Sequence, residues 1–255
     1  MYKPCHKHLV LQQSTKHQKS NMKKYLYILF FLITFQSQAQ FKGMFGKEPI
    51  INLENFDRQK VHWGYYLGFN VYDFKIDYIN PQEVDIAVKS VTGFNVGLVG
   101  NLRLHEYIDL RFEPGLYYTQ RDLTYSGFNK RIDALREVKS TYIHFPLLLK
   151  FSSQRIGNIR PYLLGGVSTT LNLSSNSKSI EDNKEQRFRV VPWTNNYEIG
   201  FGVDFYLEYF KFSPSIRGVF GLNDELIRDN DPNSPWTSNI DALKTRAVFI
   251  NFTFH

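Results

Sequence analysis

The sequence predicts an all-β fold, an eight-stranded antiparallel up-and-down transmembrane β-barrel with long outer loops and short periplasmic turns. Three observations predict it. Aromatic residues make up 16% of the 255-residue chain, and aromatics favour pleated surfaces and membrane interfaces. Apolar residues recur with period two in eight segments, as in strands with two unlike faces. The connections between segments alternate between long and short, which is typical of outer-membrane barrels.

The first segment, VHWGYYLGFNVY at 61–72, shows the alternation clearly. One face carries bulky side chains such as Trp63 and Phe69, whereas the other carries small or polar residues such as Gly68 and Asn70. A bulky apolar face backed by a cramped polar one predicts lipid outside the barrel and a filled interior.

Seven further segments repeat this pattern in chain order. Each places an apolar residue at every second position, with glycine, asparagine, tyrosine or a charge between. They run over about 94–104, 108–118, 143–151, 160–168, 197–205, 210–220 and 247–254. We expect the following side chains to face lipid: Trp63, Phe69, Phe112, Phe145, Leu147, Leu149, Phe201, Phe212, Phe252 and Phe254.

Four prolines fall inside these segments. Proline has no backbone N–H, so each removes a donor from a sheet that has no free edge. We therefore expect β-bulges or local bends at Pro114, Pro146, Pro161 and Pro214.

The composition of the polar face supports a membrane barrel over a soluble one. A lipocalin-like barrel or a β-sandwich gives similar spacing, but its polar face should be rich in solvated lysine, glutamate and serine. Here that face carries glycine, tyrosine, asparagine, histidine and a few charges of both signs. Long loops are predicted near 75–90, 121–139, 172–192 and 223–243, and short links near 105–106, 152–157 and 208–209.

The N-terminus resembles an export signal. Lys23 and Lys24 precede an apolar stretch at 25–35, and small residues predict cleavage after Ala39. The predicted organisation is a non-native extension at 1–21, from a start assigned too far upstream, a signal peptide at 22–39, a periplasmic lead-in at 40–60 and the barrel at 61–255. An unusually long n-region is the alternative for 1–21.

The composition limits the chemistry of the exported chain. Its only cysteine, Cys5, lies in the discarded piece, so we expect no disulfide. The formal charge of +7 includes six lysines and no acid before residue 40, so the remainder is close to neutral and no nucleic-acid partner is predicted.

The predicted interior holds charges of both signs. An eight-stranded barrel is just wide enough for side chains, so we expect a paired network rather than an ion or substrate path, which would need a wider lumen. The predicted network comprises Arg103, Asp109, Arg111, Glu113, Lys150, Arg160, Glu198, Asp204 and Arg217.

No catalytic, cofactor or metal residue is predicted. The four histidines of the exported chain occur singly, as interior filler or at a rim, and no metalloprotease or nucleophile motif is present. A Ca²⁺ site at Asp229 and Asp231 is conceivable, but solvation usually explains such a run. An enzyme would place Asp, His or Ser at the outer rim, where Asp122 and Asp224 are too generic to choose.

Three stretches resemble a known family: NLENFDRQKVHWGYYLGFN at 52–70, LRLHEYIDLRFEPGLYYTQRDLTY at 102–125 and STYIHFPLLLKFSSQRIGNIRPYLLGGV at 140–167. They are similar to the PorT family of outer-membrane barrels, from about Asn52 to the end of the chain. The resemblance implies a non-catalytic component or assembly factor of the type IX secretion system, which exports folded cargo and, in gliding species, surface adhesins.

The function expected from these arguments is a scaffold anchored in outer-membrane lipid, with other secretion-system proteins as partners. A small porin-like or ligand-binding barrel is the alternative, and an enzyme is third. One segment of the lead-in is expected to dock a partner or plug the barrel mouth, through Asn52, Leu53, Asn55, Phe56 and Asp57.

Overall fold

The computed structural model describes residues 50–80 and 86–255. The predicted extension and signal peptide, and the lead-in as far as residue 49, lie outside them. The strands are β1 Val61–Tyr78, β2 Ile86–His105, β3 Ile108–Phe112, β4 Gly115–Tyr125, β5 Leu135–Ser152, β6 Ile159–Asn172, β7 Trp193–Tyr206, β8 Lys211–Gly221 and β9 Ile240–Phe254. A short helix α1 spans Arg131–Ala134, and single 3-10 turns occur at Phe56–Arg58 and Asn183–Glu185.

The strands form one closed antiparallel ring. Each strand from β5 to β9 pairs with the next, β9 pairs with β1, and β1 pairs with β2. The ring closes through β3 and β4, which both pair with β2 and β5 and are two pieces of a single strand. The predicted eight-stranded up-and-down barrel is therefore confirmed. Within the described residues, no helix is long and apolar enough to cross a membrane.

The connections differ in part from the prediction. Short turns join β2 to β3, β5 to β6 and β7 to β8, close to where the sequence places them. The long loops predicted at 75–90 and 121–139 are wrong, because strands occupy most of both ranges: β1 runs to Tyr78, β2 begins at Ile86, β4 runs to Tyr125 and β5 begins at Leu135. Both strand pairs continue past the membrane, where their inward faces become apolar and their outward faces polar.

Pro114 and Pro146 face the same gap in the wall. Pro114 separates β3 from β4, so the strand is interrupted at this proline. Opposite it, the Glu113 amide donates to the Pro146 carbonyl at 3.4 Å, and Pro146 has no N–H to return. The Tyr66 hydroxyl donates to the Glu113 carbonyl instead, at 3.4 Å. Pro146 keeps its pairing with Ser168 on β6, so the bulge predicted at Pro146 is wrong.

The bulge predicted at Pro161 is also wrong, for a similar reason. The Ser153 amide donates to the Pro161 carbonyl at 2.9 Å. The Ser153 carbonyl, which Pro161 cannot serve, accepts from Arg160 Nε at 2.8 Å. A neighbouring side chain thus supplies the missing donor, and the strand keeps its register.

Pro214 leaves the register intact as well. Its pairing with Phe252 on β9 continues the ladder, while the pairing of β8 with β7 skips Ser213 and Pro214 without a shift. The prediction of a bulge is wrong there too, and the alternative of a local bend stays a prediction at all three prolines. The register shifts in the described strands instead lie at Asp77/Tyr78, Val91/Phe94 and Arg103/His105.

The barrel has two sections of opposite polarity. In the membrane section, outward side chains are apolar and inward ones are mostly polar; this section ends near Val71, Ile143 and Val248. In the outer section beyond them, outward residues such as Glu137 and Lys139 are charged and exposed. The inward residues there form a buried apolar cluster: Phe74, Ile86, Leu123, Tyr125, Val138, Phe188, Val190, Leu226, Ile240 and Leu243.

Candidate functional site: the filled interior and its two closures

Two ion-pair groups fill the membrane section. In the first, Arg217 lies between two carboxylates, with its NH1 2.8 Å from Glu113 and its Nε 3.0 Å from Glu198. Arg111 also pairs with Glu113. His144 contacts Glu198 at 2.7 Å through Nε2. All five side chains are at most 4% exposed.

The second group lies nearer the short turns. Lys150 Nζ donates to Asp204 Oδ2 at 2.6 Å, and Lys211 Nζ lies 3.9 Å from the same oxygen. The Ser213 hydroxyl donates to Asp204 Oδ1 at 2.6 Å. Lys150 also lies over the Tyr162 ring, 4.1 Å from its centroid. Asp204 thus accepts from both sides, which suits a carboxylate that is 1% exposed.

These contacts allow charged side chains to be buried inside a narrow barrel. A charge removed from water is very costly unless it is paired and hydrogen-bonded. Here the strands place each acid across the barrel or beside a basic residue, and apolar rings fill the remaining space. Tyr66, Tyr117, Leu148 and Phe249 are all 0% exposed. The interior is therefore packed with side chains.

The structure brings six of the nine predicted network residues together. Arg111, Glu113, Lys150, Glu198, Asp204 and Arg217 belong to the two groups. The other three lie nearer the periplasmic end. Arg160 contacts Asp57 at 3.5 Å, Asp109 is half-buried opposite Lys150, and Arg103 is half-buried at the mouth, where no ion pair joins it to another described residue.

Three interior residues were not predicted from the sequence. Lys211 is on the polar face of β8 but was not assigned to the network. His144 was treated as filler, although it binds a carboxylate. Arg121 was placed in a loop, yet it is 0% exposed and stacks over the Phe74 ring at 3.7 Å. Only the alternation of β4 beyond Tyr118 could have indicated that Arg121 points inward.

The ten residues predicted to face lipid all lie on the outer face of the barrel. Trp63 is 73% exposed and Phe201 58%. Phe212, Phe252 and Phe254 are only half-buried because they pack against one another, with Phe212 6.2 Å from Phe252 and 5.3 Å from Phe254 between ring centroids. These rings form an aromatic ladder beside the short turns, a usual position for interfacial aromatics.

Residues 52–58, which we call the mouth segment, lie across the short-turn end of the barrel. The Tyr206 hydroxyl donates to the Asp57 carboxylate at 2.7 Å. The Asn52 amide donates to Asn158 Oδ1 at 2.9 Å, and its side chain donates to the Tyr206 carbonyl at 3.1 Å. Arg155 donates to the carbonyls of Asn52 and Leu53. The segment is thus tied to the β5–β6 turn and to the end of β7.

An aromatic contact holds the middle of the mouth segment. The Phe56 ring meets His62 edge-on at 5.0 Å and His255 at 6.3 Å, between centroids. Lys211 Nζ lies 4.6 Å from the centroid of the Phe56 ring. Phe56 therefore covers the second ion-pair group, which contains Lys211. Glu54, Asn55 and Arg58 in the same segment remain exposed.

The outer section closes the opposite end. Phe188 and Val190 come from the loop at 173–192, and Leu226 comes from the loop at 222–239. Below them, the Glu225 carboxylate accepts from the amide and hydroxyl of Thr245, both at 2.9 Å. Burial raises the pKa of Glu225, against the opposing effect of Arg121.

Asp229, considered above for Ca²⁺, organises these loops instead. Its carboxylate accepts from both amide groups of Asn183, at 3.2 and 2.8 Å, and from the hydroxyl of Thr237 at 3.1 Å. Ser234 donates to it as well, at 2.5 Å. Across 50–80 and 86–255, no group of three or more His, Cys, Asp or Glu side chains could hold a metal ion.

One hydrogen-bond chain has the order of a nucleophile, base and acid. His144 Nδ1 lies 2.8 Å from Thr170 Oγ1, and Nε2 lies 2.7 Å from Glu198. Thr170 is 4% exposed, however, and His144 0%. Arg217 already neutralises Glu198. These hydrogen bonds therefore stabilise the packed interior, because a substrate has no access to the Thr170 hydroxyl.

A closed antiparallel ring with an apolar outer face, a polar filled interior and alternating connection lengths defines an outer-membrane β-barrel. The sequence profile of one family, described as outer membrane protein beta-barrel domain, matches residues 36–226. The chain belongs to this family, and its place is the outer membrane.

Several solved structures are similar in fold. OprG from Pseudomonas aeruginosa shares 16% identity over 76% of this chain and 94% of its own, with a TM-score of 0.40. Neisserial surface protein A shares 6% over 76% and 98%, with a TM-score of 0.43. Ail of Yersinia pestis shares 14% over 77% and 98%, with a TM-score of 0.37. No curated protein sequence matches the chain.

Proposed function

We propose that this protein is a non-catalytic scaffold of the type IX secretion system, a barrel component or assembly factor that supports export of cargo and, in gliding species, of surface adhesins. The sequence resemblance to the PorT family supports this proposal. So does the packed interior, which suits a scaffold better than a conduit.

One observation carries the proposal. One of the two most specific parts of the resemblance, FPLLLKF-R-N-RPYL-GG, includes Arg155, Asn158 and Arg160; the other is LRF-P-GL. In the structure these three residues fasten the mouth segment, through Asn52, Leu53 and Asp57. Three residues that carry the resemblance thus also fasten a periplasmic surface of the barrel.

A fixed surface of this kind suits docking of a secretion-system protein. Phe56 and Asp57 point into the barrel and fasten the segment. Glu54, Asn55 and Arg58 face solvent, and they are available to a periplasmic partner. The expected partner surface is polar and carries both signs of charge, because Glu54 and Arg58 have opposite charges.

Deletion of the gene followed by comparison of the secreted proteome tests this function. Loss of many unrelated cargo proteins from the medium and the cell surface is expected. Removal of 41–57 with the signal peptide retained should abolish secretion while the barrel still inserts. Normal secretion in either strain, or loss of uptake of one small nutrient alone, would reject the proposal.

A finer variant separates docking from folding. Glu54→Arg combined with Arg58→Glu reverses the two exposed charges of the mouth segment and leaves Phe56 and Asp57 in place. We expect secretion to fall with no change in the heat-modifiable mobility of the folded barrel. Lys139→Glu, an exposed charge reversal at the outer end, is the matched control and should secrete normally.

A further inference from the structure

A row of basic side chains lies on the outer surface of the barrel just beyond the membrane section. It is formed by β1 and β9, whose pairing places Asp73 opposite Arg246 and Lys75 opposite Lys244. Arg246 is exposed and Lys244 is half-buried. Because alternate residues share a face, these side chains point outward in line with the apolar residues below them.

Two lysines directly opposite each other are unfavourable in an antiparallel pair. Lys75 contacts Asp77 at 3.0 Å, but both side chains of that ion pair are substantially exposed, at 45% and 36%. Exposed pairs of this kind contribute little. Asp77 beside Lys75 and Asp73 opposite Arg246 offset two of the three positive charges of this face, and an anion that contacts both lysines would relieve the repulsion that remains.

The position of the row identifies the anion. Arg246 is two residues beyond Val248, and Lys75 is four beyond Val71. At about 3.4 Å per residue and a tilt of about 40°, these positions lie roughly 5 and 10 Å outside the last apolar row. The headgroup region extends about 5–8 Å from the hydrocarbon, and lysine side chains can reach back toward it.

Among the described strands on the opposite side of the barrel, no such row occurs. On the outer face of β6 and β7, Thr169 donates to Asn195 at 2.9 Å, a neutral contact. On β5, Lys139 is paired with Glu137 at 3.1 Å. The basic row is thus a local feature of the β1–β9 face rather than a belt around the molecule.

We propose that Lys75, Lys244 and Arg246 bind the phosphate groups of a phosphorylated glycolipid of the outer leaflet, of the lipid A type. Two phosphate oxygens bind between β1 and β9, while Val71 and Val248 contact the acyl chains below. This ligand would hold the barrel at a defined depth and rotation in the outer leaflet, whatever secretion role the chain has.

Native mass spectrometry of the intact mature chain with diphosphoryl lipid A tests the site. Lys75→Gln combined with Lys244→Gln should weaken binding about 30-fold, because each lysine near an anionic surface contributes on the order of a tenfold effect or less. Lys139→Gln is the matched control and should bind as the wild type does. Chemically dephosphorylated lipid A should bind weakly to all three proteins.

A second measurement guards against misfolding. Without lipid A, Lys244→Gln should unfold at the same or a slightly higher urea concentration than the wild type, because it removes a like-charge contact. Equal lipid A binding by wild type and double variant would overturn the proposal. Equal loss in Lys139→Gln, or equal binding of phosphatidylglycerol at the same phosphate density, would overturn it as well.

Discussion

The membrane section and the outer section of this barrel use the same strands with opposite polarity. In the membrane section, Leu147 on β5 is exposed to lipid while Lys150 on the same strand is 1% exposed inside. In the outer section, Glu137 faces water and Val138 is buried. The difference shows that the medium outside the wall decides which face of a strand is apolar.

The two sections are stabilised in different ways. Inside the membrane section, buried ions are held by partners across the barrel, so each contact depends on another strand. Inside the outer section, apolar side chains from strands and loops pack as in a soluble protein. Breaking a charged partnership should therefore cost more than truncating one apolar side chain.

The largest effect is expected from Arg217→Ala. It removes the cation between Glu113 and Glu198 and leaves two buried carboxylates short of a partner. Loss of one member of a buried pair costs about 3–5 kcal/mol. Urea unfolding in lipid vesicles should show this decrease, whereas Arg103→Ala at the mouth should change stability by less than about 0.5 kcal/mol. Similar effects from both would contradict the network.

Leu243→Ala should follow. Leu243 is 0% exposed in the apolar cluster of the outer section, and truncation there should cost about 3 kcal/mol. Because the outer section lies outside the lipid, protease sensitivity of the loops at 173–192 and 222–239 should rise while the membrane section stays resistant. Equal loosening of both sections would show that they are not separate.

A charge placed on the outer face distinguishes the sections directly. Leu147→Arg puts a cation into lipid and should cost about 2 kcal/mol or more. Glu137→Arg, on the same strand and face but in the outer section, should change stability by less than about 0.5 kcal/mol. Reversible folding into vesicles measures both. An equal cost at the two positions would place the membrane boundary elsewhere.

The smallest effect should come from Glu225→Gln. Burial raises the pKa of Glu225 in the fold, so its stabilising contribution is present below the ordinary carboxyl pKa and is lost as pH rises through the raised value. The protection of the amides in 222–239, measured relative to their intrinsic exchange rates, should therefore fall from pH 4 to pH 8 in the wild type and less so in the variant. Asp241→Asn, at an exposed acid on β9, should retain the wild-type dependence.

The sequence predicted the membrane section well because lipid imposes one rule on every outward position. Alternation alone placed Trp63 and Phe201 outside and Glu198 and Asp204 inside. The outer section was missed because the rule reverses there. Phe74 and Leu123 lie on the inward face, which is polar in the membrane section. Because the sequence does not mark the membrane boundary, it predicts loops for their segments.

The prolines and the partners of the ions could not be read from one strand at a time. Pro161 is tolerated because Arg160 serves the carbonyl of Ser153. Pro146 is tolerated in part because Tyr66, on β1, reaches across to Glu113. Such compensation depends on which residues meet around a closed ring, and strand-by-strand periodicity carries no information on that.

This barrel is packed with side chains and closed at both ends. Planar-bilayer recording of residues 40–255 tests this most directly, with a variant lacking residues 52–57 as a comparison. We expect no steady current from the wild type, and at most brief openings from the variant, since the ion pairs and the outer cluster remain. A stable open-channel conductance from the wild type would contradict it.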